Sequence, residues 1–179
     1  MTDLNRHTNR SEEFIIHAMD LCSSTVFKLA FAQTASRVDA EDVHQEVFIR
    51  LLKDTSRFAD DEHLKAWLLR VTLNCCRDLA RSSWRSKVTT GEDLESFTCE
   101  NDTRSLEAMH ELAQALEKLP NETRAVVHLY YYEGYSSEDI AQIMQINPST
   151  IRSRLERGRK ELKMILGGAK NGFQEYLQG

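Results

Sequence analysis

Residues 136–166, SSEDIAQIMQINPSTIRSRLERGRKELKMIL, decide how this 179-residue chain folds. Ser136 with Asp139 three residues on forms a capping-box pattern. A hydroxyl and a carboxylate at that spacing satisfy each other's backbone N–H groups, which a first helical turn leaves without partners. Ile140, Ile143 and Met144 then recur at helical spacing. Asn147-Pro148-Ser149 opens a second helix, with Asn as N-cap and Pro at the first position, where its missing N–H is no loss. Ile151, Leu155, Gly158, Leu162 and Ile165 share one face, and Arg152, Ser153, Glu156, Arg157 and Lys160 lie opposite. A short helix, a tight corner and a long basic helix make a helix-turn-helix, which lays its second helix in the DNA major groove. Ala141 is small where the two helices must approach. A helical hairpin with a merely solvated basic face has the same periodicity. Both caps and the concentration of cations on the second helix favour DNA binding. If the corner needs positive φ, Gln145 strains it by on the order of 1 kcal/mol.

Outward from this block the helical period persists. Phe14, Ile15, Ala18, Leu21, Cys22, Val26 and Leu29 predict a helix within residues 11–34. Residues 39–53 predict a second, with Asp39 as N-cap and Val43, Val47, Phe48 and Leu51 inside. Residues 62–82 predict a third, on the stripe Leu64, Trp67, Leu68, Val71, Leu73, Cys75 and Leu79. Residues 83–103 lose the period and are rich in Ser, Thr, Gly and acids, which reads as a flexible linker. Beyond Arg104, Leu106, Met109, Leu112, Leu116 and Leu119 form a stripe, and Pro120 starts a helix at its first turn. Ala125, Val126, Leu129 and Tyr130 form the next stripe, closed by Gly134 as the residue after the cap. With no strand-like alternation of useful length, the expected fold is all-α. It comprises two small helical domains joined by a flexible acidic linker: 1–87, linker 88–103, a helix-turn-helix domain 104–168 and a tail 169–179.

The formal net charge of −5 argues at first against a polyanion partner. Its distribution reverses that. Residues 65–87 carry six cations and Asp78, a local +5, and residues 149–170 carry seven cations and two acids, again +5. Residues 39–62 stand at −5 and residues 88–123 at −7. Two basic surfaces on a chain that repels anions elsewhere point to two anion-binding sites. No apolar run of about 20 residues is expected to span a bilayer, and the first residues, MTDLNRHTNRSEEF, lack the apolar core of a signal peptide. Cys22, Cys75, Cys76 and Cys99 have no CxxC spacing and read as reduced thiols of a cytoplasmic protein, with no metal or other cofactor expected. Gly-rich phosphate loops, nucleophile elbows and metal-spaced His/Cys clusters are missing from the sequence, so catalysis is the least supported class.

DAEDVHQEVFIRLL, then LKAWLLRVTLNCCRDLARSSWR, then LEKLPNETRAVVHLYYYEGYSSEDIAQIMQINPSTIRSRLERGRKEL, in that order, closely resemble the extracytoplasmic-function class of bacterial sigma factors over residues 11–166. The resemblance implies a non-enzymatic subunit of RNA polymerase, with a first domain that reads and opens the −10 promoter element and a second that reads the −35 element. It places Asp42, Gln45, Glu46, Arg50 and Leu51 against the polymerase β′ clamp helices, where acidic character would attract a basic protein surface. The β flap is the second expected contact on core polymerase. His44 stands where the family more often has an apolar or hydroxyl residue, and reads as an incidental surface histidine. Phe58 and Asn74 fall where a base flipped from the non-template strand is held, one by stacking and the other by an amide; Phe58 could instead fold onto the core. Arg70, Arg77, Arg81 and Arg85 would hold −10 phosphates.

On the −35 side the implied DNA-binding set is Ser149, Thr150, Arg152, Ser153, Arg154, Glu156, Arg157 and Lys160. Arginine can read guanine bidentately and Glu can accept from cytosine. Arg154, Arg159 and Lys160 are expected on phosphates. Glu156 departs from the apolar or basic residues frequent there, so no promoter sequence can be borrowed. An anti-sigma protein is implied as a further partner. A stand-alone helix-turn-helix regulator, with an N-terminal dimerising or sensing domain, is the second reading from sequence.

Overall fold

The structure, a computed structural model, describes residues 10–86, 112 and 114–166, and of residues 83–86 the backbone alone. The expected linker and tail, and with them Cys99, Leu106, Met109 and the side chain of Arg85, lie outside the described residues. Every described element is helical. The chain divides into two units, Met1–Thr89 and Thr90–Gly179.

The first unit is a three-helix bundle of α1 (Glu12–Thr34), α2 (Arg37–Lys53) and α3 (Asp61–Ser86). Ser11 caps α1 by accepting from the Phe14 N–H at 3.2 Å. Helix α1 ends at Ala35, in the left-handed region at φ 52°. Ser36, not Asp39, is the N-cap of α2: its hydroxyl accepts from the Asp39 N–H at 3.3 Å. Asp39 instead sits in the first turn, where its charge meets the positive end of the helix dipole. Ala18, Cys22, Val26 and Leu29 of α1 face Val43, Val47, Phe48 and Leu51 of α2 and Leu64, Leu68 and Leu69 of α3 in one core. Contrary to the sequence expectation, α1 is long and apolar enough to cross a membrane by length and composition. Ala18, Cys22, Val26, Leu29 and Ala30 of α1 are buried in this bundle core, whereas Ile16 and Met19 are exposed.

Cys22, Cys75 and Cys76 are all buried free thiols. Burial pushes the Cys75 thiol up, and the Cys76 thiol up to about 12. Neither is an activated nucleophile.

The second unit has a short helical stretch at 114–117, then α4 (Asn121–Tyr131), α5 (Ser137–Met144) and α6 (Pro148–Leu166). Pro120 is the cap of α4 and not its first helical residue. Gly134 adopts φ 72°, two residues past the cap Tyr132. Helix α4 is buried from Thr123 to Leu129, wider than the expected stripe, whereas Tyr130 is exposed. Arg124 is interior: its guanidinium donates to the carbonyls of Glu117 and Leu119 and so ties the 114–117 stretch to α4. Burial lowers its pKa. Ala115, Leu119, Val127 and Leu162 close the core beneath it.

Candidate nucleic-acid interface

The capping box of α5 forms as read. Ser136 Oγ accepts from the Asp139 N–H at 3.1 Å while an Asp139 oxygen accepts from the Ser136 N–H at 3.3 Å. Gln145 takes the left-handed conformation at φ 55°, ψ 44°, and its N–H reaches back to Ala141 and Gln142. Asn147 Oδ1 accepts from the Ser149 N–H at 2.9 Å and from the Ser149 hydroxyl at 2.8 Å, which opens α6. Ile151, Leu155, Gly158 and Leu162 face inward as expected, but Ile165 is exposed. The glycine matters: a Cβ at Gly158 would stand 2.8 Å from Val127 Cγ2 and 3.0 Å from Thr123 Cγ2. Only a residue without a side chain lets α6 lie this close to α4.

Arg152, Ser153, Glu156, Arg157 and Lys160 are all exposed on the opposite face of α6. Ser149 is exposed and Thr150 half-buried at its N-terminal end. The cations there are steered by acids. Arg152 pairs with Glu138 of α5 at 3.1 Å, and Lys160 with Glu156 at 2.7 Å. The Ser137 hydroxyl, with Arg152 adding to it, holds the Glu138 carboxyl below its ordinary range, and Lys160 does the same for Glu156. Among the described residues Arg157 has no ion pair, so its guanidinium is the least committed on this face. Arg154 is placed differently from its neighbours. It is largely buried and donates to Glu122 of α4, so it braces the domain from the side. Arg159 donates to the Tyr131 hydroxyl at 3.3 Å. Neither Glu122 nor Glu138 carries a sequence signal for these roles, because each partner comes from a separate helix.

In the first unit Phe58 lies in the loop between α2 and α3, half-buried in an aromatic cluster. Its ring is parallel to that of Phe14, with centroids 6.2 Å apart, and edge-on to His63 and Trp67 at 5.5 and 5.7 Å. Asn74 is exposed on α3, its Oδ1 accepting from Arg77 at 3.1 Å. Arg77 and Arg81 are exposed and Arg70 is half-buried, so α3 carries cations along a face that also holds the amide.

On α2, Asp42 and Gln45 are exposed, and Glu46 binds Arg50 at 2.7 Å. That bond raises the Arg50 pKa. Leu51 corrects the sequence expectation. It is 0% exposed, packed in the bundle core, and cannot face a partner. The apolar side chains that α2 does expose include Val38 and Ile49, and Ile49 stands, 42% exposed, at an open groove of about 340 Å³ between α1 and α2. Ile15, Met19, Phe48, Ile49 and Leu52 line it beside Gln45. His44 is half-buried at that groove, bonded to Ser23 Oγ at 2.8 Å, and burial lowers its pKa.

Comparison with known proteins places both units. Residues 19–86 match the model of Sigma-70 region 2, and residues 109–162 match that of Sigma-70, region 4. The ECF RNA polymerase sigma factor SigE of Mycolicibacterium smegmatis is 33% identical over 148 residues, which cover 79% of this chain and 57% of that protein. The probable RNA polymerase sigma factor RfaY of Xanthomonas campestris is 30% identical over 79% of this chain and 38% of its own length. The chain thus spans between about a third and three fifths of these two relatives. The ECF sigma factor SigW of Bacillus subtilis is 27% identical, with 83% of this chain and 86% of that protein aligned. Among solved structures, the sigma factor RpoE of Bartonella quintana, crystallised with the anti-sigma factor NepR, has a similar fold. Its TM-score is 0.70 at 23% identity, over 89% of this chain and all of that one. With Sigma-70 regions 2 and 4 matched in order and every described element helical, the chain belongs to the sigma-70 family and is similar to its extracytoplasmic-function members SigE and SigW.

Proposed function

We propose that this chain is an alternative sigma factor, which binds core RNA polymerase and directs promoter recognition and transcription initiation without catalysis of its own. The observation that carries the reading is the succession of region 2 and region 4 in one chain, the second ending in a helix whose outer face is cationic. Residues 1–87 serve the −10 element and the polymerase clamp, 88–103 the link, 104–168 the −35 element, and 169–179 a tail. Arg152, Ser153, Glu156 and Arg157 read bases. Ser149, Thr150 and Lys160 lie near phosphates, and Arg154 acts through the fold. Phe58 and Asn74 hold a flipped base, with Arg70, Arg77, Arg81 and Arg85 on the strand.

Asp42, Gln45, Glu46 and Arg50 face the β′ clamp helices, and the second unit meets the β flap. The protein works in the cytoplasm, restrained by an anti-sigma factor, as RpoE is bound by NepR. The test is transcription by core enzyme, with and without this protein, on a library of promoter-like templates. Specific transcripts that require the protein are expected. Binding to palindromic duplex without core enzyme, and no transcript with it, would instead identify a stand-alone regulator.

A further inference from the structure

Arg10 does more than the sequence gives reason to expect. It precedes α1, yet its side chain is only 12% exposed, and it reaches across the bundle to the loop between α2 and α3. Its Nε donates to the Leu51 carbonyl at 3.2 Å, at the end of α2. Its second nitrogen donates to Asp54 Oδ1 at 3.1 Å and to the Ser56 carbonyl at 2.5 Å. The guanidinium carbon lies 4.6 Å from the ring centre of Phe14 and 4.7 Å from that of Phe58. One planar cation therefore fixes a helix end, an acid, a loop carbonyl and the loop's aromatic. Asp54 completes the tie by accepting from the Ser56 N–H at 2.7 Å. Burial opposes ionisation of Asp54, but the Ser56 bonds together with Arg10 hold its carboxyl below the ordinary range.

We infer that Arg10 is a positioning residue for promoter opening: its fork and flat face hold loop 54–60 so that Phe58 is presented to the flipped −10 base. The inference rests on the sigma-factor reading. Lysine cannot replace Arg10, because an ammonium has neither the bidentate fork nor the planar face that the two carbonyls and two rings engage. Phe58 keeps its contacts with His63 and Trp67 of α3 in such a variant, but the loop backbone that carries it loses its anchor to the end of α2.

The experiment is transcription by holoenzyme from duplex templates with randomised −35 and −10 elements, comparing wild type with Arg10→Lys and Arg10→Ala and sequencing the transcripts. The expected result is a roughly tenfold fall in preference for the favoured −10 bases, the scale of one lost charge-assisted contact. Preference at the −35 element stays within about twofold of wild type, about 0.4 kcal/mol against about 1.4 kcal/mol for the tenfold fall. Two results overturn the inference: an Arg10→Lys profile identical to wild type at −10, or a parallel loss at both elements with lost binding to core enzyme, which marks a purely structural role. Wild-type protein that yields no transcript with core enzyme would refute the sigma-factor reading and the inference with it.

Discussion

Helices α2 and α6 each turn an apolar helical stripe inward and present opposite exteriors. Val43, Val47 and Leu51 face the core from α2 as Ile151, Leu155 and Leu162 do from α6. Outward, α2 offers Gln45 and Ile49 beside an apolar groove, whereas α6 offers Arg152, Arg157 and Lys160, two of them held by acids. A repeating apolar stripe therefore fixes where a helix sits and leaves its partner undecided. An apolar rim with a few acids suits a protein surface, and steered cations suit a polyanion.

The largest test of this contrast is on α2. Leu51→Ala is expected to lower the unfolding free energy of the first unit by about 2–5 kcal/mol through a buried cavity, seen as an earlier denaturant midpoint by Trp67 fluorescence. Ile49→Ala should leave that midpoint within about 0.5 kcal/mol and weaken binding to core enzyme. On α6 the inward position is a gap. Gly158→Leu should cost about 1–3 kcal/mol by overpacking against Val127 and Thr123, with faster amide exchange along residues 148–166 while α1–α3 stay protected.

Outward on α6 the expected effect is on binding. Arg157→Ala should remove about 1–3 kcal/mol of promoter affinity in a sequence-specific way, measured by salt-matched titration of holoenzyme on promoter and scrambled duplex. Equal loss on both duplexes would make Arg157 a phosphate contact. Arg154→Ala, by contrast, should leave base preference unchanged and cost at most about 1 kcal/mol of stability, because its partner Glu122 is half in water.

The smallest effect is on pH. His44 has its pKa lowered from about 6.5 by burial, so the folded state binds its proton less well than the unfolded chain does. Its neutral form is the one folding favours, and stability should fall as pH drops below about 6.5 toward the lowered value. His44→Gln should flatten that part of a stability-versus-pH curve.

The helices, the corner at Gln145 and the outer face of α6 were legible because caps and periodicity are local. Ser136, Asp139 and Asn147 carry their meaning within three residues of themselves. What was not legible depends on distant partners. Leu51 belonged at once to the apolar stripe and to the family's polymerase-facing set, and only packing decides between them in favour of the core. Arg154 reads as one more cation of a basic helix until Glu122, 32 residues earlier, meets it. Arg10 carries no local hydrogen-bonding signal, since the acceptors of its hydrogen bonds lie 41 to 46 residues away. Phe58 stands in between: its place in the loop was readable, but its aromatic neighbours were not.

The buried Arg124 has a consequence for counting ions. Each cation that neutralises a phosphate releases condensed counterions, and the slope of affinity against salt measures how many do so. Arg124 spends its donors on the carbonyls of Glu117 and Leu119, inside the domain. It therefore adds to the formal charge of the second unit and nothing to that slope. A salt titration of the −35 contact should return a smaller number than the basic residues of this unit, and the shortfall counts the cations that serve the fold.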